Sequence, residues 1–334
     1  MNASAQRGFI LVATIWLTAL MLGFAAWFSF YANNQLEKAL LSKERAEGQL
    51  DLEATEATLF YLIATNAIRR RGLEVNGVEG RSELIRTDGV LYQGIGSTKY
   101  ALQGYEGLVG LNTKNHFHLD LLLSDYESDS LRKRSLLAAL SDYIDKDNVA
   151  RMSGQESGAY RVAGLTPPAN EYLVTPMEIE KVYGWSEWLG EHPEFDVEKW
   201  LSSNWRTRVN LNSAPTDLLV RILPVKDADA LSLNDRRSVK PFQGMSDVNQ
   251  TLNLRAALDE DFYTFLPSEK VKLLIYSGKA CRPVLIAVQF SPLSISSPWK
   301  VDYRYHRECT FSDREVARLS PKQYFGRQLS SAEG

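Results

Sequence analysis

Between Gly8 and Leu36 the chain carries no charged residue, and Phe9 to Tyr31 (FILVATIWLTALMLGFAAWFSFY) is an almost unbroken apolar run of 23 residues. As a helix rising about 1.5 Å per residue, the run spans roughly 35 Å, enough to cross a hydrocarbon core of about 30 Å. A buried core helix is seldom so long. A secretory h-region is shorter, about 7–15 residues, and leads into small residues at its cut site, whereas this run ends Trp27-Phe28-Ser29-Phe30-Tyr31. Residues 9–35 therefore read as the transmembrane part of a helix. The rest of the 334 residues is long enough for a sizeable head. With 44% hydrophobic and 24% charged residues, wholesale disorder, a fibrous chain and a polytopic membrane protein are excluded.

After the apolar run no proline occurs before Arg70, and Leu36, Leu40, Leu50, Ala54, Ala57, Tyr61, Ala64 and Ile68 keep largely helical spacing between charged residues. One helix is predicted from near Phe9 to about Arg70, lipid-soluble first and amphipathic second. The balance of 38 Lys+Arg against 41 Asp+Glu gives a net charge of -3 and no global field for nucleic acid. The two cysteines, Cys281 and Cys309, have neither CxxC spacing nor a nearby His pair, so they read as two buried thiols or one bridge.

What precedes the apolar run is a polar octet, MNASAQRG, with Arg7 and Gly8 directly before Phe9. This resembles the leader of type IV prepilins, which a prepilin peptidase cuts after the glycine on the cytoplasmic side. The resemblance implies a leader at 1–8, cleavage between Gly8 and Phe9, methylation, and a head in the periplasm. Flanking charge alone favours the opposite orientation, since Arg7 faces Lys38, Lys43 and Arg45. The leader outranks it, because Glu37, Glu44 and Glu47 dilute the far side. The pilin pattern has Glu at the fifth mature position, where this chain has Ala13.

From Val75 to Tyr105 short apolar pieces alternate with Gly and polar residues, predicting two or three strands. Helical patterns follow at Leu119 to Leu123 and Leu131 to Ile144. Gly154 to Asn170 reads as loop, and a helix around Pro176 to Tyr183 has Pro in its first turn and Gly184 at its end. After Pro267 the segments Val271 to Tyr276, Pro283 to Phe290 and Lys300 to Arg307 read as strands.

The ordered set Gly107-Leu-Val-Gly110-Leu111-Asn112, Leu136 to Asp147 (LLAALSDYIDKD), Gly154-Gln-Glu156 with Tyr160, Pro168-Ala-Asn170, Glu178, Gly184 and Val209 to Pro215 (VNLNSAP) resembles the GspK family. Its members are large minor pseudopilins of type II secretion systems and typically lack the pilin Glu, in keeping with Ala13. The resemblance implies an α+β, type IV pilin-like fold with a long N-terminal helix, an antiparallel sheet and a large inserted helical domain. The expected layout is 36–104 for the amphipathic helix and first strands, 105–261 for the insert, 262–318 for the last strands and 319–334 for a loose tail. It further implies a non-enzymatic subunit of the bacterial inner membrane. Its partners would be I-type and J-type minor pseudopilins and the major pseudopilin, at the tip of a periplasmic pseudopilus that exports folded proteins. The alternatives are a minor pilin of a type IV pilus and a membrane-anchored DNA-uptake receptor.

The VNLNSAP run is also similar to the opening of helix-hairpin-helix DNA-binding units. Val225-Lys226-Asp227 stands where a Gly-rich hairpin belongs, and Asp227 and Asp229 repel phosphate. No nucleic-acid role is expected, and Asn210 and Asn212 read as binding local backbone before a helix starting near Thr216. Gly184-Trp-Ser186-Glu-Trp188 lacks the second Gly of a nucleophile elbow, and no phosphate loop or HExxH is present. His116 and His118 read as one side of a strand with no third ligand nearby. Asp142, Asp145 and Asp147 end a helix, where the dipole disfavours anions, and Glu156 follows; these hard oxygens suit calcium. Calcium in the helical domain is also what the family resemblance implies. In the oxidising periplasm that it also implies, Cys281 and Cys309 are expected to pair.

Overall fold

The computed structural model describes residues 5–76, 82–223, 225–252, 259–277, 283–291, 294, 295, 297–307, 318 and 320–325, without the side chains of residues 5–9, 227, 322 and 323. Helix α1 (Ala5–Thr65) is 61 residues long, because no proline or glycine pair interrupts it. The chain divides into two units, Met1–Leu50 and Asp51–Gly334. In the first, no residue of the apolar window is buried and side chains such as Trp16, Leu22 and Phe30 are exposed, so this stretch has no protein core to enter.

In the second unit the end of α1 becomes one-sided. Leu52, Leu59, Leu62 and Ile63 are all buried, at the spacing of one helix face. They pack on short strands β1 (Ile68–Arg69), β2 (Gly72–Asn76) and β3 (Ser82–Ile85), and on a five-stranded antiparallel sheet. Strands β4 (Asp88–Gln93) and β5 (Lys99–Gly104) belong to that sheet. The chain next forms β6 (Val109–Gly110), α2 (Phe117–Ser124), α3 (Ser130–Ile144), α4 (Ser157–Val162), a 3-10 turn at Pro176–Lys181, α5 (Trp185–Glu191), α6 (Val197–Trp200), β7 (Leu201–Ser202), β8 (Val209–Asn210), α7 (Thr216–Ile222), α8 (Asp227–Val239), α9 (Met245–Leu252) and β9 (Tyr263–Thr264). It returns as β10 (Lys270–Tyr276), β11 (Val284–Phe290) and β12 (Trp299–His306), with α10 (Lys322–Phe325) last. The order across the sheet is β12-β11-β10-β5-β4. Every helix from α2 to α9 thus lies in sequence between two strands that are antiparallel neighbours, Leu273 of β10 pairing with Leu102 of β5.

Strand alternation gives the sheet two different faces. Val271, Leu273, Ile275, Val284, Ile286 and Val288 turn to the α1 side. Ala101, Leu274, Tyr276 and Leu285 turn the other way and, with Gln103 and Lys272, line a cleft of about 980 Å³ whose other wall is helical. The helical region has its own core, built around Trp185, Trp188, Tyr160 and Leu140.

Three expectations are corrected. The stretch Gly154 to Asn170 is not all loop but contains α4, whose six residues are too few to show a periodicity. His116 and His118 stand at the start of helix α2, not on a strand. Within the expected loose tail, Phe325 is buried and stacks on Tyr100, whose hydroxyl lies 2.8 Å from Ser320 Oγ.

Candidate functional site

Asp129 caps α3 by accepting from Leu131 N–H at 2.8 Å, and the helix runs on to deliver its acidic residues at the far end. Asp142, in the last turn, is fully buried. Asp145 is the C-cap, Asp147 lies just beyond, and Glu156 is the N-cap of α4. The returning loop makes the approach. Arg151 N–H donates to both oxygens of Asp142 at 3.2 and 3.3 Å, and its Nη1 donates to Asp142 Oδ1 at 2.7 Å and also to Asp145 Oδ2. Gly154 is required at the closest point, since a Cβ there would stand 1.9 Å from Asp142 Oδ2.

Asp145, Asp147 and Glu156 each offer an oxygen, and these oxygens lie within 4.8 Å of one another. That separation matches donors on opposite sides of an ion held at about 2.3–2.6 Å. Glu156 is 8% exposed, yet beyond the adjacent Ser157 N–H, which is not in good hydrogen-bond geometry, its oxygens have no donor; Asp145 Oδ1 and Asn170 Oδ1 have no partner. A buried carboxylate so poorly supplied with donors is costly. Burial, and after it the charges of Asp142, Asp145 and Asp147, push the Glu156 carboxyl above its usual range. The donor set is all oxygen and mostly anionic, so it fits a hard divalent cation such as calcium.

Asp142 does not join the convergent group, because Arg151 satisfies it. Asn170 was not legible as part of the site from its residue type. Its backbone is left-handed at φ 51°, and its Nδ2 donates to Asp147 O at 3.0 Å, which leaves Oδ1 without a partner beside the cluster. The only signal was its position after Pro168-Ala169.

The histidines form no pair. His116 Nε2 is 3.0 Å from Ser141 Oγ and its Nδ1 3.3 Å from Thr113 Oγ1, while His118 Nδ1 is 3.2 Å from Thr207 O. Burial lowers both imidazoles to about 4, which favours the neutral form of half-buried His116 and of buried His118. Asn210 and Asn212 do more than bind local backbone. Asn210 Nδ2 reaches Leu266 O, and Asn212 exchanges two bonds with Phe242, donating to its O and accepting from its N–H, each at 2.9 Å. The hairpin between α7 and α8 carries Val225 half-buried against the helical core and lining the cleft, so its side chain does not present the open surface that phosphate approach needs. Gly8 and Phe9 lie within the span of α1. Cys281 and Cys309 lie outside the described residues.

No protein-family model and no curated protein matches the chain. Among solved structures, a chain of "The Crystal Structure of the GspK-GspI-GspJ complex from enterotoxigenic Escherichia coli Type 2 Secretion System" aligns with a TM-score of 0.54. The alignment covers 81% of this chain and 100% of that one, at 14% identity. The two share a fold. It is α+β and pilin-like, a long N-terminal helix followed by antiparallel sheets.

Proposed function

We propose that this chain is a GspK-like minor pseudopilin of a type II secretion system. It would sit at the tip of a short periplasmic pseudopilus, with I-type and J-type minor pseudopilins, above the major pseudopilin. There it would help initiate assembly and drive folded proteins across the outer membrane. The observation that carries the reading is the architecture: one helix with an exposed apolar first half, then an antiparallel sheet whose neighbouring strands β5 and β10 are separated in sequence by a helical region, α2 to α9 among the described residues. The solved structure that shares this fold is a chain of a GspK-GspI-GspJ complex of a type 2 secretion system.

The physical roles follow from the parts. The uncharged run stores the subunit in the inner membrane until assembly. A prepilin peptidase would cut between Gly8 and Phe9. A head enlarged by a helical insert is too bulky to lie between stacked copies, and the Glu that pairs with a subunit ahead is dispensable where none lies ahead; Ala13 occupies that position. Asp145, Asp147 and Glu156, with Asn170 beside them, would hold calcium as a structural ion. It would neutralise carboxylates gathered at a helix C-terminus and fix the loop between α3 and α4.

The test is genetic. Removing the chain should leave secreted proteins trapped in the periplasm while surface pili and DNA uptake persist. Loss of pili or of DNA uptake with normal secretion would replace this reading with a type IV minor pilin or an uptake receptor.

A further inference from the structure

Among the described residues, Arg151 is the one cation placed directly on the acidic group, and its geometry suits a temporary occupant. Its guanidinium bridges Asp142 and Asp145, at 2.7 Å from Asp142 Oδ1, yet the Arg151 side chain is 48% exposed while Asp142 is wholly buried. Arg151 is half in water and can swing out, whereas the carboxylates cannot leave; its departure costs buried Asp142 its counter-charge and leaves it the Arg151 N–H. Asp145 is shared between two demands. Its Oδ2 accepts from Arg151, and its Oδ1 is buried without a donor in the same group as Asp147 and Glu156.

We infer that Arg151 is a built-in counter-ion that competes with a divalent cation for Asp145 and is released from it when the cation binds. The inference rests on the calcium reading of the cluster and adds how that site is regulated. A guanidinium and a dication beside the same carboxylate repel one another, so the ion pays for expelling Arg151 out of its own binding energy. Without metal, the loop Lys146 to Gln155 is held by the Arg151 guanidinium on Asp142 and Asp145 and by two backbone bonds, Arg151 N–H on Asp142 and Gly154 N–H on Arg151 O at 2.8 Å. Arg151 therefore sets the cation concentration at which the site fills, and it helps hold the metal-free loop before that point.

The experiment titrates calcium chloride calorimetrically into chelator-stripped, full-length protein in detergent, comparing wild type with Arg151→Gln and Arg151→Lys. Arg151→Gln should bind calcium at least tenfold more tightly, and Arg151→Lys, which keeps the charge, should stay within about threefold of wild type. Equal or weaker binding by Arg151→Gln, with wild type binding calcium, overturns the competition and leaves the calcium site standing. No binding by either overturns both. A second readout needs no variant: phenylglyoxal modification of Arg151 in the wild type, followed by mass spectrometry, should speed up when calcium is added. Unchanged or slower modification contradicts its release.

Discussion

Lys272 is the residue whose chemistry is most at odds with its surroundings. It sits on β10 with 6% exposure and donates from Nζ to Glu198 O. Burial lowers its ammonium to about 8 from the ordinary 10.5, against the pull of Asp196 and Glu198, and Arg307 and Lys199 push the same way as burial. Between about pH 8 and 10.5 the unfolded chain thus holds more protons than the folded one, and Lys272 weighs less against stability as pH rises through that window. Lys272→Met should therefore stabilise the head at pH 7, by up to about 3 kcal/mol, and the gain should fade above pH 8. Thermal melts across pH check this, and a variant less stable than wild type at pH 7 would refute it. The sequence does not betray this lysine, because it interrupts an apolar strand as an exposed residue would. Asn212 was hidden in a different way: a turn-forming asparagine reads as local, and its reach to Phe242 depends on how distant segments fold. Asp142, Asp145, Asp147 and Glu156 were visible because four carboxylates near a helix end already demand a counter-charge.

At the level of elements, legibility followed period and length. Helix α1 and strands β10 to β12 were readable because long uninterrupted patterns and β-branched alternation exclude other structures. Helix α4 and the packing of Phe325 were not, since short segments have no period and their burial is decided by tertiary contacts. The β11 and β12 ladder bears on the cysteines. Val284 pairs with His306, and Arg307 N–H donates to Pro283 O at 3.0 Å. Cys281 precedes Pro283 by two positions and Cys309 follows Arg307 by two, which favours the proposed disulfide. On the chain-entropy model it would contribute roughly 3.5 kcal/mol. Thiol labelling of the denatured, unreduced chain should find no free cysteine, and two labelled thiols per chain would exclude the bridge. The start of α1 makes a second prediction. Gly8→Val should leave unprocessed precursor in the membrane, and mass spectrometry showing a normal mature N-terminus would remove the leader assignment.

The whole molecule has a membrane-competent helix, a pilin-like sheet and a helical insert that carries the candidate calcium site. If calcium holds the insert, chelator should lower the melting temperature by several degrees, and the drop should shrink when Asp145 and Asp147 become Asn. An unchanged melt would remove the metal and leave the assembly role intact. That role is tested most directly by purifying the full-length chain from its own membranes and identifying what comes with it. I-type and J-type minor pseudopilins should come with it in a stable complex. Recovery without them, or with type IV pilus subunits in their place, would contradict that role.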